Sequence, residues 1–120
     1  MWCRGVRGAT TVLSNSKQEI LDATRELLEK MVAANNIHSD CVTCVFFTST
    51  PDLNAEFPAA AARQMGWTDV PLLGTQEIAV PNAPIKCLRI LILFNTERQN
   101  SELIHVYLKG AEVLRQDVHG

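Results

Sequence analysis

The sequence lacks any apolar run near the roughly 20 residues that a membrane span needs. Nothing at Met1-Trp2-Cys3-Arg4-Gly5 resembles the apolar stretch of a secretory leader. A cytoplasmic protein is therefore the expectation, with no membrane partner. An excess of positive charge is also missing. Eleven Lys and Arg stand against thirteen Asp and Glu, giving −2. Phosphate contacts need a basic face, so nucleic acid is not an expected partner. No G-x-S-x-G, P-loop or H-E-x-x-H occurs. The three histidines, at 38, 105 and 119, are scattered. His38 and His119 read as solvated, and His105 as support for a neighbouring strand without a nucleophile partner. Cysteine supplies a single C-x-x-C, Cys41-Val42-Thr43-Cys44, with no second pair to complete a zinc site. A redox C-x-x-C opens a helix, whereas this one runs into β-rich sequence. Cys3, Cys41, Cys44 and Cys87 are expected as free, half-buried, inert thiols, and no metal is expected.

What is present suits one globular domain over residues 1–120. Apolar residues make up 47% and charged residues 20%. That is enough apolar mass to offset the ordering entropy of the chain. Residues 2–12 read as a strand in which Gly5 and Gly8 permit close backbone approach. Ser16-Lys17-Gln18-Glu19 is a capping box. Ile20, Ala23, Thr24, Leu27, Leu28 and Met31 follow at helical spacing, with Glu26 and Lys30 as an outward pair and Asn35-Asn36 as the stop. A long helix over 17–35 results. Residues 42–48 read as a buried strand, apolar on both parities. Pro58 and Gly66 bracket a short helix over 58–65. Residues 70–73 read as a short strand, 74–80 as extended or irregular, and 86–95 as a second strongly apolar strand. Residues 105–108 and 112–114 suggest a last strand or hairpin arm. The order β-α-β-α-β-β-β, with few helices per strand, predicts an α+β mixed sheet with one face under the long helix. The strands apolar on both sides predict cover on the other face, a partner subunit being the expected source.

Charge set inside apolar strands is the informative feature. Arg89 interrupts Cys87-Leu88-Arg89-Ile90-Leu91-Ile92-Leu93, on the parity of Cys87, Leu91 and Leu93. A guanidinium there is costly unless it is paired or meets an anion. One reading is an internal bridge, with Glu77 as the candidate acid. The other is a site for an anionic ligand. Arg4 and Arg7 flank Gly5-Val6 at odd spacing, which sends them to opposite faces. One should be solvated or interfacial and the other directed at a site. Arg63 and Arg115 read by default as surface residues, and Tyr107 as a half-buried amphipathic ring. Arginines, one carboxylate and a tyrosine suit a small dianion. They also suit a reaction that needs orientation and electrostatics rather than a nucleophile.

The blocks Arg4-Gly5-Val6-Arg7-Gly8-Ala9-Thr10-Thr11-Val12, Thr50-Pro51-Asp52-Leu53, Phe57-Pro58-Ala59 with Arg63, Gln76-Glu77, Lys86-Cys87-Leu88-Arg89 and His105-Val106-Tyr107-Leu108 through Val113-Leu114-Arg115 resemble the monofunctional, trimeric α/β chorismate mutases. The likeness runs through nearly the whole chain in order. It implies rearrangement of chorismate to prephenate in phenylalanine and tyrosine synthesis, no cofactor, and a homotrimer around a barrel-like core. Active sites would lie between adjacent subunits. By matching position, Arg89 would donate to the ether oxygen and Glu77 would accept from the ring hydroxyl. Arg7 would bind a carboxylate, assisted by Tyr107. Phe57 and Ala59 would wall the site, with Leu73 and Gly74 beside the substrate. Arg63 would come from the neighbouring chain near the other carboxylate. Leu114 and Arg115 would belong to a mobile C-terminal cover, short because the sequence stops at Gly120. Two positions depart from the resemblance. Ala60 stands where a lysine is expected, and Gly74 where a cysteine is expected, which removes a cation and a thiol contact. Two other readings compete: a small trimeric imine deaminase of similar architecture, and a non-catalytic trimer binding carboxylate metabolites in which Arg89 only makes a bridge.

Overall fold

The computed structural model describes residues 1–115. His119 and the tail beyond Arg115 lie outside the described residues. Among the described residues there are five strands: β1 (Trp2–Thr11), β2 (Val42–Ser49), β3 (Leu72–Gln76), β4 (Cys87–Thr96) and β5 (Val106–Tyr107). They form one sheet in the order β3-β2-β4-β1-β5. β4 is central and runs antiparallel to both β1 and β2, while β2–β3 and β1–β5 are parallel pairs. The expected mixed sheet is therefore observed. Two helices, α1 (Lys17–Asn35) and α2 (Ala59–Gln64), complete the frame.

Helix α1 has the expected limits because its ends carry their own caps. Ser16 Oγ accepts from Glu19 N–H at 3.0 Å, and Asn36 closes the helix in the left-handed region at φ 50°. Glu19 does not reach back to Ser16. Its carboxylate instead accepts from Leu13 N–H and the Ser14 hydroxyl, so it braces the incoming loop. Glu26 pairs with Lys109 Nζ at 3.6 Å rather than serving Lys30, because the last turn of the fold lies beside it. Leu27, Leu28 and Met31 are fully buried against Val6, Val45, Phe47, Ile90 and Ile92. Those strand residues share one sheet face, as period-two alternation requires.

Gly8 explains how α1 comes so close. A Cβ there would collide with the Met31 sulfur and lie 3.1 Å from Leu27 Cδ1. Both side chains are fully buried, so neither can swing into solvent. Gly8→Ala is expected to cost roughly 1–3 kcal/mol through overpacking. Denaturant unfolding reads this directly, and an unchanged midpoint would refute the close-approach role.

Further expectations need correction. Residues 112–114 are not a strand. Lys109–Arg115 form a 3-10 helix that follows β5, held by Gly110 N–H donating to Thr11 Oγ1 at 3.0 Å. β5 itself is no hairpin arm, since it pairs parallel with β1 at Gly8↔Val106 and Ala9↔Tyr107. The strand expected at 70–73 is β3, Leu72–Gln76, because β2 continues to offer partners as far as Ser49↔Gln76. Cysteine burial is also uneven: Cys3 is exposed, Cys41 and Cys44 are half-buried and Cys87 is buried. The second sheet face is half open within the single chain. Phe46, Leu91 and Leu93 are partly exposed there, and Leu73 is 58% exposed.

Candidate active site

The register places the polar residues of the open face in one transverse row. Tyr107 faces Ala9, Ala9 faces Arg89, Arg89 faces Thr48, and Thr48 faces Thr75. The next row is Arg7, Leu91, Phe46 and Leu73. Arg89 thus sits on the middle strand at the centre of its row, with Arg7 one row away. A cleft of about 330 Å³ lies over these rows and takes residues from all five strands, including Arg7, Thr48, Thr75, Arg89 and Tyr107. Glu77, just past β3, closes one side of it. Its backbone N–H donates to Ser49 O at 2.9 Å, which fixes the start of the following loop.

Arg89 Nη1 donates to Glu77 Oε2 at 3.0 Å. The internal bridge considered from the sequence is therefore real. It does not wall the guanidinium away, because the two side chains remain 30% and 28% exposed. Both also line a second, adjoining cavity of about 660 Å³ together with Asp52, Ile78, Cys87 and Leu114. A guanidinium has several N–H donors in a fixed fork, so one carboxylate leaves others available. The bridge orients the cation without using it up.

The flanking groups tune this cleft. His105 Nδ1 accepts from Arg7 N–H at 3.0 Å. Burial, and then the Arg7 charge, hold the His105 pKa below the usual imidazole value, so the ring stays neutral and able to accept. The unfolded chain takes up this proton first. The contribution of His105 to stability is full above the ordinary imidazole pKa of about 6.5 and is lost as pH falls through the lowered folded value. Unfolding free energy should therefore decline on acidification in that range, and His105→Asn should flatten this part of the profile. An identical pH profile in the variant would contradict it. Burial pushes the Cys87 thiol up to about 11, so it remains protonated beside Arg89. Arg115 donates to Tyr107 O at 3.3 Å, and its guanidinium lies 5.9 Å from the Tyr107 ring centre.

The remaining expected site residues lie elsewhere in this chain. Phe57 and Gly74 line a third cavity of about 390 Å³ at the β3 edge. Phe57 is 73% exposed. Arg63 lines a shallow fourth cavity of about 190 Å³ with Trp67 and Val70. Leu73 stands exposed at the β3 edge of the Arg7 row. Ala59, the first residue of α2, is buried in the helix-side core. Arg4 faces away from the cleft, over the Trp2 ring at 4.9 Å. Sequence reasoning did not single out Thr48 or Thr75. Threonine in a β-rich run is unremarkable, and only the register of β2 against β3 and β4 puts both on the face of Arg89. Thr48 Oγ1 is buried with no hydrogen-bond partner. Among the described residues, no three His, Cys, Asp or Glu side chains gather as metal ligands would. No helix there is long and apolar enough to cross a membrane.

Fold and cleft together define a small α+β domain whose half-open sheet face carries a pocket with two arginines and one glutamate. Comparison with known proteins gives the family. Residues 3–118 match the family model of chorismate mutase type I. The chain is 47% identical to chorismate mutase AroH of Thermus thermophilus over 116 residues, covering 96% of this chain and 95% of that one. It is 40% identical to chorismate mutase AroH of Bacillus subtilis (strain 168) over 119 residues, covering 98% and 94%. A solved chorismate mutase from Clostridium thermocellum superposes with a TM-score of 0.90 at 43% identity, covering 94% of this chain and 99% of that one. The chain belongs to the type I chorismate mutase family.

Proposed function

We propose that this enzyme rearranges chorismate to prephenate in a cleft centred on Arg89, within the cytoplasm. The observation that carries the reading is the Arg89 guanidinium. It is held by Glu77 at 3.0 Å, yet it faces a cleft shared with Arg7 and Tyr107. The rearrangement is a [3,3] shift. The ether C–O bond breaks as a C–C bond forms, and no proton is transferred. An acid, base or nucleophile is therefore not required of the site. What the site must do is hold the folded, chair-like conformer and stabilise negative charge that grows on the ether oxygen.

Arg89 supplies that charge stabilisation. A fixed cation gains more from the transition state, where the oxygen is electron-rich, than from the ground state, and only that difference accelerates the reaction. Cover by a neighbouring subunit would lower the dielectric there and strengthen it, and the Glu77 bridge removes the need to reorient. Glu77 accepts from the ring hydroxyl. Arg7 takes a carboxylate in its fork geometry, assisted by Tyr107.

The second half of the pocket comes from a neighbouring chain in a homotrimer. Phe57, Arg63, Leu73 and Gly74 are all exposed, and none lines the Arg89 cleft of its own chain. A second subunit laid on the half-open sheet face would bring its β3 edge to that cleft. It would also cover Phe46, Leu91 and Leu93. Ala59 is then a core residue of α2 rather than a wall that touches substrate. Leu114 and Arg115 lie at the opposite rim, beside Tyr107. Ala60 and Gly74 leave this pocket one ammonium and one thiol poorer than the family pattern.

The test is turnover by the purified chain. With a chelator present, chorismate should be consumed and prephenate formed, which acid converts to phenylpyruvate. Binding of carboxylates with no consumption would favour the non-catalytic reading instead.

A further inference from the structure

We propose that His105 is a positioning residue for the reaction: its Nδ1 fixes the backbone of Arg7 and so aims the Arg7 side chain at the substrate carboxylate. The inference rests on the Arg7 role given above. Its ground is an irregularity in the β1–β5 pairing. β5 has two residues, and its ladder consists of Gly8↔Val106 and Ala9↔Tyr107, continued by Leu108 N–H donating to Ala9 O at 2.9 Å. At the next position on β1 the acceptor is a side chain. Arg7 N–H donates to His105 Nδ1 at 3.0 Å. The imidazole therefore extends the ladder by one rung, at the residue whose side chain enters the cleft.

His105 is itself held on both sides. Ile104 N–H donates to Asn35 Oδ1 at 2.7 Å, and Asn35 Nδ2 donates to Ile104 O at 2.8 Å. Asn35 is buried at the end of α1 and also donates to Met31 O at 2.9 Å. On the other side, Tyr107 follows two residues later, at the end of β5. One ring thus ties Arg7 to the strand that carries Tyr107, and the end of α1 anchors that strand. A two-residue edge strand has few backbone bonds of its own, so one additional rung is a substantial share of what sets the β1–β5 spacing. The bond requires the neutral ring with its proton on Nε2. Burial favours that form. A histidine that merely filled the edge would not need an acceptor at the δ position.

The test separates position from polarity. In His105→Asn the amide oxygen falls close to the site of Nδ1, whereas in His105→Gln it falls one bond further out. His105→Asn should keep KM for chorismate within about twofold of the parent. His105→Gln should raise it about tenfold, the scale of one lost hydrogen bond, while kcat changes less than about threefold. Thermal melting of both variants checks that they are folded to the same extent. Equal KM values in the two variants would overturn the inference. Arg7→Ala, measured alongside, tests the reading beneath it. If Arg7→Ala raises KM and the His105 pair does not differ, only the positioning role fails. If Arg7→Ala leaves KM unchanged, the carboxylate role fails.

Discussion

Arg89→Ala is expected to abolish chorismate turnover while the protein stays folded and assembled. Loss of one preorganised donor costs on the order of 10²–10³ in rate. Here the group is also a full charge on the central strand, so the loss should lie at or beyond the upper end. The fold should persist for a specific reason. Arg89 points to the open face and takes no part in the α1-side core of Leu27, Met31, Phe47 and Ile92. Its removal leaves Glu77 without its guanidinium, but that side chain is 28% exposed, so water can solvate the carboxylate. Steady-state kinetics together with a melting curve and a sedimentation profile read all of this. Normal turnover by a folded Arg89→Ala protein would remove Arg89 from the chemistry.

Mixing two dead variants should restore activity. Arg63→Ala damages the half-site at the β3 edge, and Arg89→Ala damages the half-site on the open face. If each cleft joins Arg89 of one chain to Arg63 of its neighbour, equal mixing and random assembly make about a quarter of clefts intact in a closed ring. Activity should rise from near zero to about that share of the parent. The expectation follows from placement. Arg63 lies with Trp67 and Val70, Phe57 lies with Gly74, and neither group opens onto the cleft of Arg7 and Tyr107. Absence of recovery, with subunit exchange confirmed by mass spectrometry, would place the whole site within one chain.

Much of this was legible in the sequence because it was locally determined. Helix α1 carries its own start at Ser16, its own stop at Asn36 and an uninterrupted apolar stripe, so its limits coincide with those expected. The side of β4 that bears Arg89 followed from alternation alone, and so did the opposite directions of Arg4 and Arg7. The Arg89–Glu77 bridge was foreseeable as one of two options, and it forms while both side chains stay partly exposed to the cleft.

What was not legible depends on contacts distant in sequence. The stretch at 112–114 has a strand-like composition, yet it coils as a 3-10 helix that begins where Gly110 docks on Thr11. Glu26 found Lys109 for the same reason, since helical spacing says nothing of a 3-10 helix arriving from far along the chain. The placement of Thr48 and Thr75 beside Arg89 required the register of β2 against β3 and β4. His105 was visible as a supporting residue, but the atom it supports, the backbone nitrogen of Arg7, emerges only from a parallel pairing two residues long.

The central claim is that a positive charge at position 89, rather than a hydrogen bond alone, accelerates the bond exchange. A side-by-side measurement of kcat/KM for Arg89→Lys and Arg89→Gln tests it most directly, since the first keeps the charge and the second keeps only a neutral donor. The expected result is that Arg89→Lys retains at least about tenfold more activity than Arg89→Gln, both folded, because charge-assisted hydrogen bonds are roughly twice as strong as neutral ones. Equal activity in the two variants, or more in Arg89→Gln, would contradict it.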